Sequence, residues 1–487
     1  MSAITVFWSG IALLSDGYNA QALSSVNVIL SKQFPQDFTS VYRTRLSTAY
    51  YVGTCLGALF FGGFIDRLSR KAGAVTSTLL MVLGVILCTA ANGTSPQGLF
   101  WMLIVARGVT GVGAGGEYPI STTMATESSD ETSRLRRMRG LLVGLVGCTA
   151  IDAGFVVAGI TPLIVLAAYG YTSTTPVSET HGLNGVWRIV FGLGIVVPLS
   201  ILYLRLKLVT STAFARHGSP QHLSSPRFWL VVVRTYWRRI VGTCLCWALY
   251  DAVSYPFGLF TSTIIDQLSG GQSTLIRSIG YGTVINLFYI PGCLVGSFAM
   301  DRLGRRNTQA TFFLVQAVVA FVLGGALGPI SSIFPLFVVL YGLVLALGEA
   351  GPGVATILIS AESYPTMIRG QMVGLSAAFG KAGAAVGTVA FGAIQDRLGE
   401  GNAGTQGVFL CGAAFSVVGG LLTLACIPVM TDKLQDEDER FEAILAANGI
   451  TLDLPHLAPT AAMATDLAAT RSIDKDEKDA AAFVTLS

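Results

Sequence analysis

Two stretches decide how this chain is read: FGGFIDRLSRK, Phe61 to Lys71, and VGSFAMDRLGRR, Val295 to Arg306. Each leaves an apolar run through Asp-Arg-Leu, then one small residue, then two bases, and Asp66 corresponds to Asp301. A second pair follows in the same order, Arg139-Gly140 and Arg369-Gly370, each opening another apolar run. Order and placement match as well as composition, which marks an internal repeat. The chain reads as one structural unit present twice.

Around these stretches, apolar windows of about 20 residues, the length that crosses a bilayer core, recur at 3–30, 46–65, 72–92, 98–125, 140–169, 185–205, 238–264, 276–300, 308–328, 332–360, 370–395 and 406–430. With 52% hydrophobic and only 12% charged side chains in 487 residues, an ordinary soluble protein is excluded. The expected fold is an all-α membrane protein of twelve transmembrane helices in two pseudo-symmetric six-helix bundles. The longest internal polar segment sets the division: an N-terminal bundle at 1–206, a central loop at 207–237, a C-terminal bundle at 238–430 and a tail at 431–487 with a short helix around LQDEDERFEAILAAN.

Net charge is only +3, but the bases cluster in alternate loops: Arg67, Arg70 and Lys71, then Arg134 to Arg139, Arg205 to Arg239, Arg302 to Arg306, and Arg369. Lys and Arg are retained on the cytoplasmic side, so both termini are expected there. The first span lacks a preceding basic region and carries Asp16, so it reads as mature structure and not as a signal peptide. All eight cysteines fall in predicted spans, where they behave as small apolar residues, and no disulfide framework is implied.

Two motifs mislead. Gly111, Gly113 and Gly116 satisfy the dinucleotide fingerprint, but inside a membrane span no strand precedes them, so no nucleotide is expected. Small-residue spacing at Gly111 and Gly115 instead suits close helix approach. LSGGQ, from Leu268, resembles an ATP-driven transporter signature, yet the chain has no phosphate-cradling Gly-rich loop ending in Gly-Lys. No nucleic acid or cofactor is implied, and the energy source is expected to be an ion or substrate gradient.

An ionisable group at mid-bilayer costs on the order of 3 kcal/mol, which makes each one a functional candidate. The set comprises Asp16, Arg107, Glu117, Asp152, Asp251, Glu349 and Lys381. Glu117, followed by Tyr118 and the helix-bending Pro119, can carry a proton if it faces a cavity, or lock two helices through a buried cation. Trp247, Asp251 and Tyr255, spaced i, i+4, i+8, share one helix face and offer N–H and O–H donors to phosphate oxygens, unless they form a packing stripe. Lys381 needs a counter-ion: Asp16 or Glu349 within the protein, or an anionic substrate. The four histidines fall in predicted loops or the tail, so any proton relay rests on carboxylates.

These residues resemble a known family. GGFIDRLSRK and DRLGRR are similar to the loop motif of the major facilitator superfamily, with Ser69 and Ser297 in place of usual glycines, and Arg107-Gly108 with Gly111 and Gly113 resembles its fourth-helix motif. The resemblance makes Asp66, Arg67, Arg70, Asp301, Arg302 and Arg305 gating residues. LLSDGYNAQ, GAGGEYPIS, WALYDAVSYPFGLFTSTI, GEAGPG and ESYPTMIRGQMVGLSAAFGKAGA together resemble the phosphate:proton symporters and, more narrowly, the fungal glycerophosphoinositol and glycerophosphodiester permeases. That implies proton coupling through Asp16 and Glu117, substrate contacts from Tyr118, Trp247, Asp251, Tyr255 and Lys381, and a small anionic substrate, with the proton as coupling ion. Arg107, Asp152 and Glu349 are left as buried charges without a role.

Gly353 stands where the phosphate symporters have asparagine, which favours a bulkier ester over free phosphate, while Val354 replaces an expected polar residue. The expected protein is a monomeric plasma-membrane importer of glycerophosphoinositol or glycerophosphocholine. Phosphate uptake, export of a small metabolite, and a non-transporting receptor on the same scaffold are the alternatives.

Overall fold

The computed structural model describes residues 2–67, 70–129, 138–176, 178–206, 225–268, 273–399, 402–429 and 434–450. Its first half comprises α1 (Ser2–Gln33), α2 (Ser40–Arg67), α3 (Arg70–Thr89), α4 (Pro96–Ser129), α5 (Arg139–Val146) continued by α6 (Cys148–Ala168), and α7 (Leu183–Leu193) continued by α8 (Val196–Leu206). The second half repeats the order. It comprises α9 (Pro226–Leu268), α10 (Leu275–Leu287) continued by α11 (Tyr289–Leu303), α12 (Arg305–Gly325), the short α13 (Leu327–Ser332), α14 (Phe334–Gly348) running through a π-helical turn (Glu349–Gly353) into α15 (Val354–Glu362), α16 (Arg369–Leu398) and α17 (Asn402–Cys426). A last helix, α18 (Leu434–Ala447), matches the one expected in the tail.

Among the described residues, nine helical stretches are long and apolar enough to cross a membrane. The remaining crossings of the twelve-helix arrangement fall to α1, α2 and α9, whose lower hydropathy has a cause. Polar residues lower it: α1 buries Asp16, Asn19, Gln21 and Asn27 against other helices, whereas α3 shows outward a face such as Leu79, Leu83 and Ile86.

The glycines of GVGAGGEYPIS work as close-approach positions. A Cβ on Gly111 would lie 2.2 Å from the Tyr50 carbonyl oxygen and one on Gly115 2.1 Å from that of Thr54, both on α2. Between them Gly113 faces α3, where a Cβ would lie 2.3 Å from the Met81 nitrogen. Backbone contact on two sides fixes α4, and with it the side chains that follow the glycines.

The repeat motif forms a latch between the halves. The Asp301 carboxylate accepts the N–H groups of Gly140 and Leu141, each at 2.9 Å, at the first turn of α5. A buried Glu362 on α15 pairs with Arg139 at 2.8 Å and with Arg305 at 3.1 Å. Arg302 is exposed. The side chains of Asp66, Arg67 and Arg70 lie outside the described residues, as do Arg134, Arg136 and Arg137. At the opposite end of the helices Lys32 on α1 pairs with Asp266 on α9 at 3.5 Å, and deeper between the same helices Gln21 donates to the Gly258 carbonyl at 2.7 Å. Both ends are closed.

α9 begins at Pro226, well before the expected 238, because its first turns have a partner. Leu434, Asp438, Phe441 and Leu445 recur at helical spacing and bury one face of α18. The Phe441 ring meets Phe228 and Tyr236 of α9. Glu437 accepts from the Tyr236 hydroxyl at 2.7 Å and pairs with Arg239 at 3.0 Å. Asp438 accepts the Thr366 N–H at 2.6 Å and its hydroxyl at 2.8 Å, in the turn before α16. Replacing Asp438 with alanine leaves that buried N–H without its acceptor, a cost of about 1–3 kcal/mol. We expect Asp438→Ala to lower the unfolding temperature of the detergent-solubilised protein, and the exposed Glu439→Ala to leave it unchanged.

Candidate functional site

Helices of both halves meet at a small cavity of about 30 Å³, room for two waters at most. Its lining joins the two halves: Gln21 from α1, Tyr118 from α4, Asp152 and Phe155 from α6, Trp247, Asp251 and Tyr255 from α9, Glu349 and Gly353 from the π-turn, and Lys381 from α16. The i, i+4, i+8 face of α9 therefore turns inward as its spacing implies, and it carries a neighbouring stripe, Tyr250, Ser254 and Gly258, into the same lining.

Among the lining residues Lys381 is the sole cation. Its partner is neither of the acids proposed from sequence but Asp251: Nζ lies 2.9 Å from Asp251 Oδ2 and 2.5 Å from the Tyr255 hydroxyl. It also sits 3.7 Å from the Tyr255 ring centroid and 4.4 Å from that of Tyr118, a cation held against two π faces. The Tyr255 hydroxyl is 3.0 Å from that of Tyr118, which donates to Asp16 Oδ2 at 2.5 Å, while Tyr50 donates to Asp16 Oδ1 at 2.6 Å. A continuous chain of hydrogen bonds thus links Asp16 on α1 to Lys381 on α16, across both halves. The Trp247 ring packs edge-on against Tyr118 with centroids 6.2 Å apart.

Arg107 stands behind this chain and outside the cavity. Its guanidinium lies over the Tyr50 ring, 4.2 Å from the centroid, and donates to the Asn19 carbonyl at 2.6 Å. Glu117 is also set apart from the network. It forms a two-pronged pair with Arg205 of α8, and its Oε1 accepts from the Ser77 hydroxyl at 2.7 Å. Arg205 was not legible as a partner because a base at the end of a span reads as a loop charge, yet it is 5% exposed and also donates to the Ala74 carbonyl at 2.7 Å. Tyr50 was missed for a different reason: half of a Tyr-Tyr doublet gives no sign of facing an acid.

The π-turn positions the remaining acids. Gly351, Pro352 and Gly353 loosen the helix there, and the Glu349 carboxylate turns to accept the Tyr250 hydroxyl. A Cβ on residue 353 would lie 2.1 Å from Glu349 Oε2 and 2.8 Å from the Tyr250 hydroxyl. A side chain at 353 would displace the Glu349 carboxylate from this position. Asp152, 1% exposed, has an Oδ2 with no hydrogen-bond partner.

The sequence matches the family described as Sugar (and other) transporter over residues 3–229 and 217–435. It is similar to glycerophosphoinositol permease 1 of Candida albicans, 34% identical over 452 residues that cover 92% of this chain and 82% of the relative. It is also similar to glycerophosphocholine permease GIT4 of the same organism, 33% identical over 452 residues covering 92% and 83%. In three dimensions it resembles the proton:xylose symporter XylE, with a TM-score of 0.71 at 14% identity, covering 89% of this chain and 98% of that one. With the helix order, the repeat latch and the cavity between the halves all in place, the chain belongs to the sugar (and other) transporter family of the major facilitator superfamily.

Proposed function

We propose that this protein is a proton-coupled importer of glycerophosphodiesters, such as glycerophosphoinositol or glycerophosphocholine, working by alternating access across the plasma membrane. The observation that carries the reading is Lys381, the one cation lining the cavity, held by Asp251 and ringed by hydroxyl donors. A phosphodiester carries one negative charge and oxygen acceptors. Lys381, the Tyr118 and Tyr255 hydroxyls and the Trp247 N–H offer the complementary set.

The same geometry supplies a coupling device. When the phosphate takes Lys381, Asp251 loses its partner, and an uncompensated buried carboxylate costs several kcal/mol. A proton on Asp251, or relayed from Asp16 through Tyr118 and Tyr255, removes that cost, so substrate and proton load together. Glu117 acts at one remove: protonation would end its pairing with Arg205 and free α4 to move against α8. The bases of the repeat support a cytoplasmic latch end and cytoplasmic termini, with 1–206 and 238–430 as the two bodies that rock. The protein works as a monomer and its chemistry needs no cofactor. Free phosphate uptake and the receptor alternative are separated by uptake of labelled substrates into vesicles of the purified protein, with and without a pH gradient. Gradient-driven accumulation of the diesters is expected, and its absence overturns the reading.

The residues set four further outcomes. Lys381→Ala should weaken substrate binding by at least about tenfold, the equivalent of ~1.4 kcal/mol, at every pH, whereas Asp251→Asn should flatten the pH dependence. In the wild type, affinity should tighten as external pH falls from about 7 to about 5, because protonation neutralises the released carboxylate; this is read from the KM for uptake at each pH. Glu117→Gln should abolish pH-driven accumulation while sparing counterflow, and concentrative uptake by that variant would make the pair with Arg205 purely structural. Gly353→Asn should disturb Glu349 and Tyr250 whatever the substrate is. An equal loss of diester and free-phosphate uptake is expected from the collision with Glu349, and a loss confined to the diester would show that residue 353 selects by size.

A further inference from the structure

The charges around the cavity do not balance. Asp251 answers Lys381, but Asp152 and Glu349 also line it, and the lining contains no second cation. Both are buried, at 1% and 5% exposure, and they come from opposite halves, α6 and the π-turn. Glu349 has one neutral hydroxyl donor, Tyr250, and the absence of a side chain at 353 keeps its second oxygen clear. Asp152 Oδ2 faces the cavity without a hydrogen-bond partner. Aromatic rings line the same cavity. Phe155 lies 5.4 Å from Tyr289 and 6.2 Å from Tyr255, centroid to centroid, and all three line the cavity.

We infer that Asp152 and Glu349 form an acidic subsite that takes an organic ammonium group, so that the preferred substrate is a zwitterionic phosphodiester with its phosphate at Lys381 and its cationic alcohol at the carboxylates. The inference rests on the phosphodiester reading and narrows it. A diester with a neutral alcohol adds a negative charge to a lining that already holds three carboxylates and one lysine. A zwitterion brings its own positive charge to the two acids that lack one. The rings add cation–π attraction, which an ammonium gains and a neutral polyol does not. Two carboxylates from opposite halves, closing on one cation, also favour the closed state of the transporter over either open one.

The test is uptake of glycerophosphocholine, glycerophosphoethanolamine and glycerophosphoinositol by the purified full chain in proteoliposomes, with tetramethylammonium as a competitor. The wild type should prefer the two ammonium esters to the inositol ester by about tenfold in uptake efficiency, the scale of one or two desolvated cation–π and charge contacts. The choline and ethanolamine esters tell whether a quaternary or a primary ammonium fits better. Asp152→Asn and Glu349→Gln should each collapse the preference towards unity, and Glu349→Asp should restore part of it. Equal uptake of all three esters by the wild type, which needs no variant to be measured, overturns the subsite. So does an equal loss of all three in the variants, the outcome expected if the carboxylates carry protons or bind the polyol. Failure to transport any diester overturns the phosphodiester reading, and the subsite with it.

Discussion

A lysine deep in a membrane protein must be answered by a negative charge, and the rest of the site is arranged around how Lys381 meets that need. In the closed cavity the answer comes from Asp251, one helix away, with Tyr255 and Tyr118 stacked against the ammonium. Because the pair is buried, removing either partner costs several kcal/mol, whereas exchanging one anion for another costs much less. A transporter for an anion needs that asymmetry. Under the proposed mechanism Asp251 holds the site until a substrate replaces it, and the displaced carboxylate is then neutralised by a proton.

The latch obeys the same electrostatic logic at a half-buried position. Asp301 caps the first turn of α5, accepting two N–H groups that no carbonyl of the helix can reach. Glu362 gathers Arg139 from one half and Arg305 from the other, so one carboxylate ties three segments together. Bonds of this kind are strong when aligned and cheap to rehydrate when the halves part, which suits a contact that has to be made and broken in each cycle.

Much of this was legible in sequence, for identifiable reasons. The repeat located Asp301 and Arg305 because a charged motif at a span end recurs in order, and helical periodicity put Trp247, Asp251 and Tyr255 on one face because 3.6 residues per turn leaves little choice. Pairings between distant segments were not legible. Asp16 and Glu349 were the acids named for Lys381, and nothing local favours Asp251, which lies 130 residues away. Arg205 looked like one base among many in a polar loop, although its side chain is buried at the end of α8 where it meets Glu117. The docking of α18 was hidden for a similar reason: a mixed-charge helix reads as solvated, and only the spacing of Leu434, Asp438, Phe441 and Leu445 betrays a buried face.

The stretch GVGAGGEYPIS brings these threads together. Glycines at 111, 113 and 115 let α4 touch α2 and α3 backbone to backbone, leaving Glu117 and Tyr118 no freedom to slide along the bundle. Adjacent residues on a helix point about 100° apart. One therefore enters the interior of the first half, to Arg205, while the other reaches the cavity, to Asp16 and Tyr255. Under the proposed coupling the two sites need not touch, because one helix carries both Glu117 and the tyrosine that bridges Asp16 and Lys381, and its glycines seat it against α2 and α3.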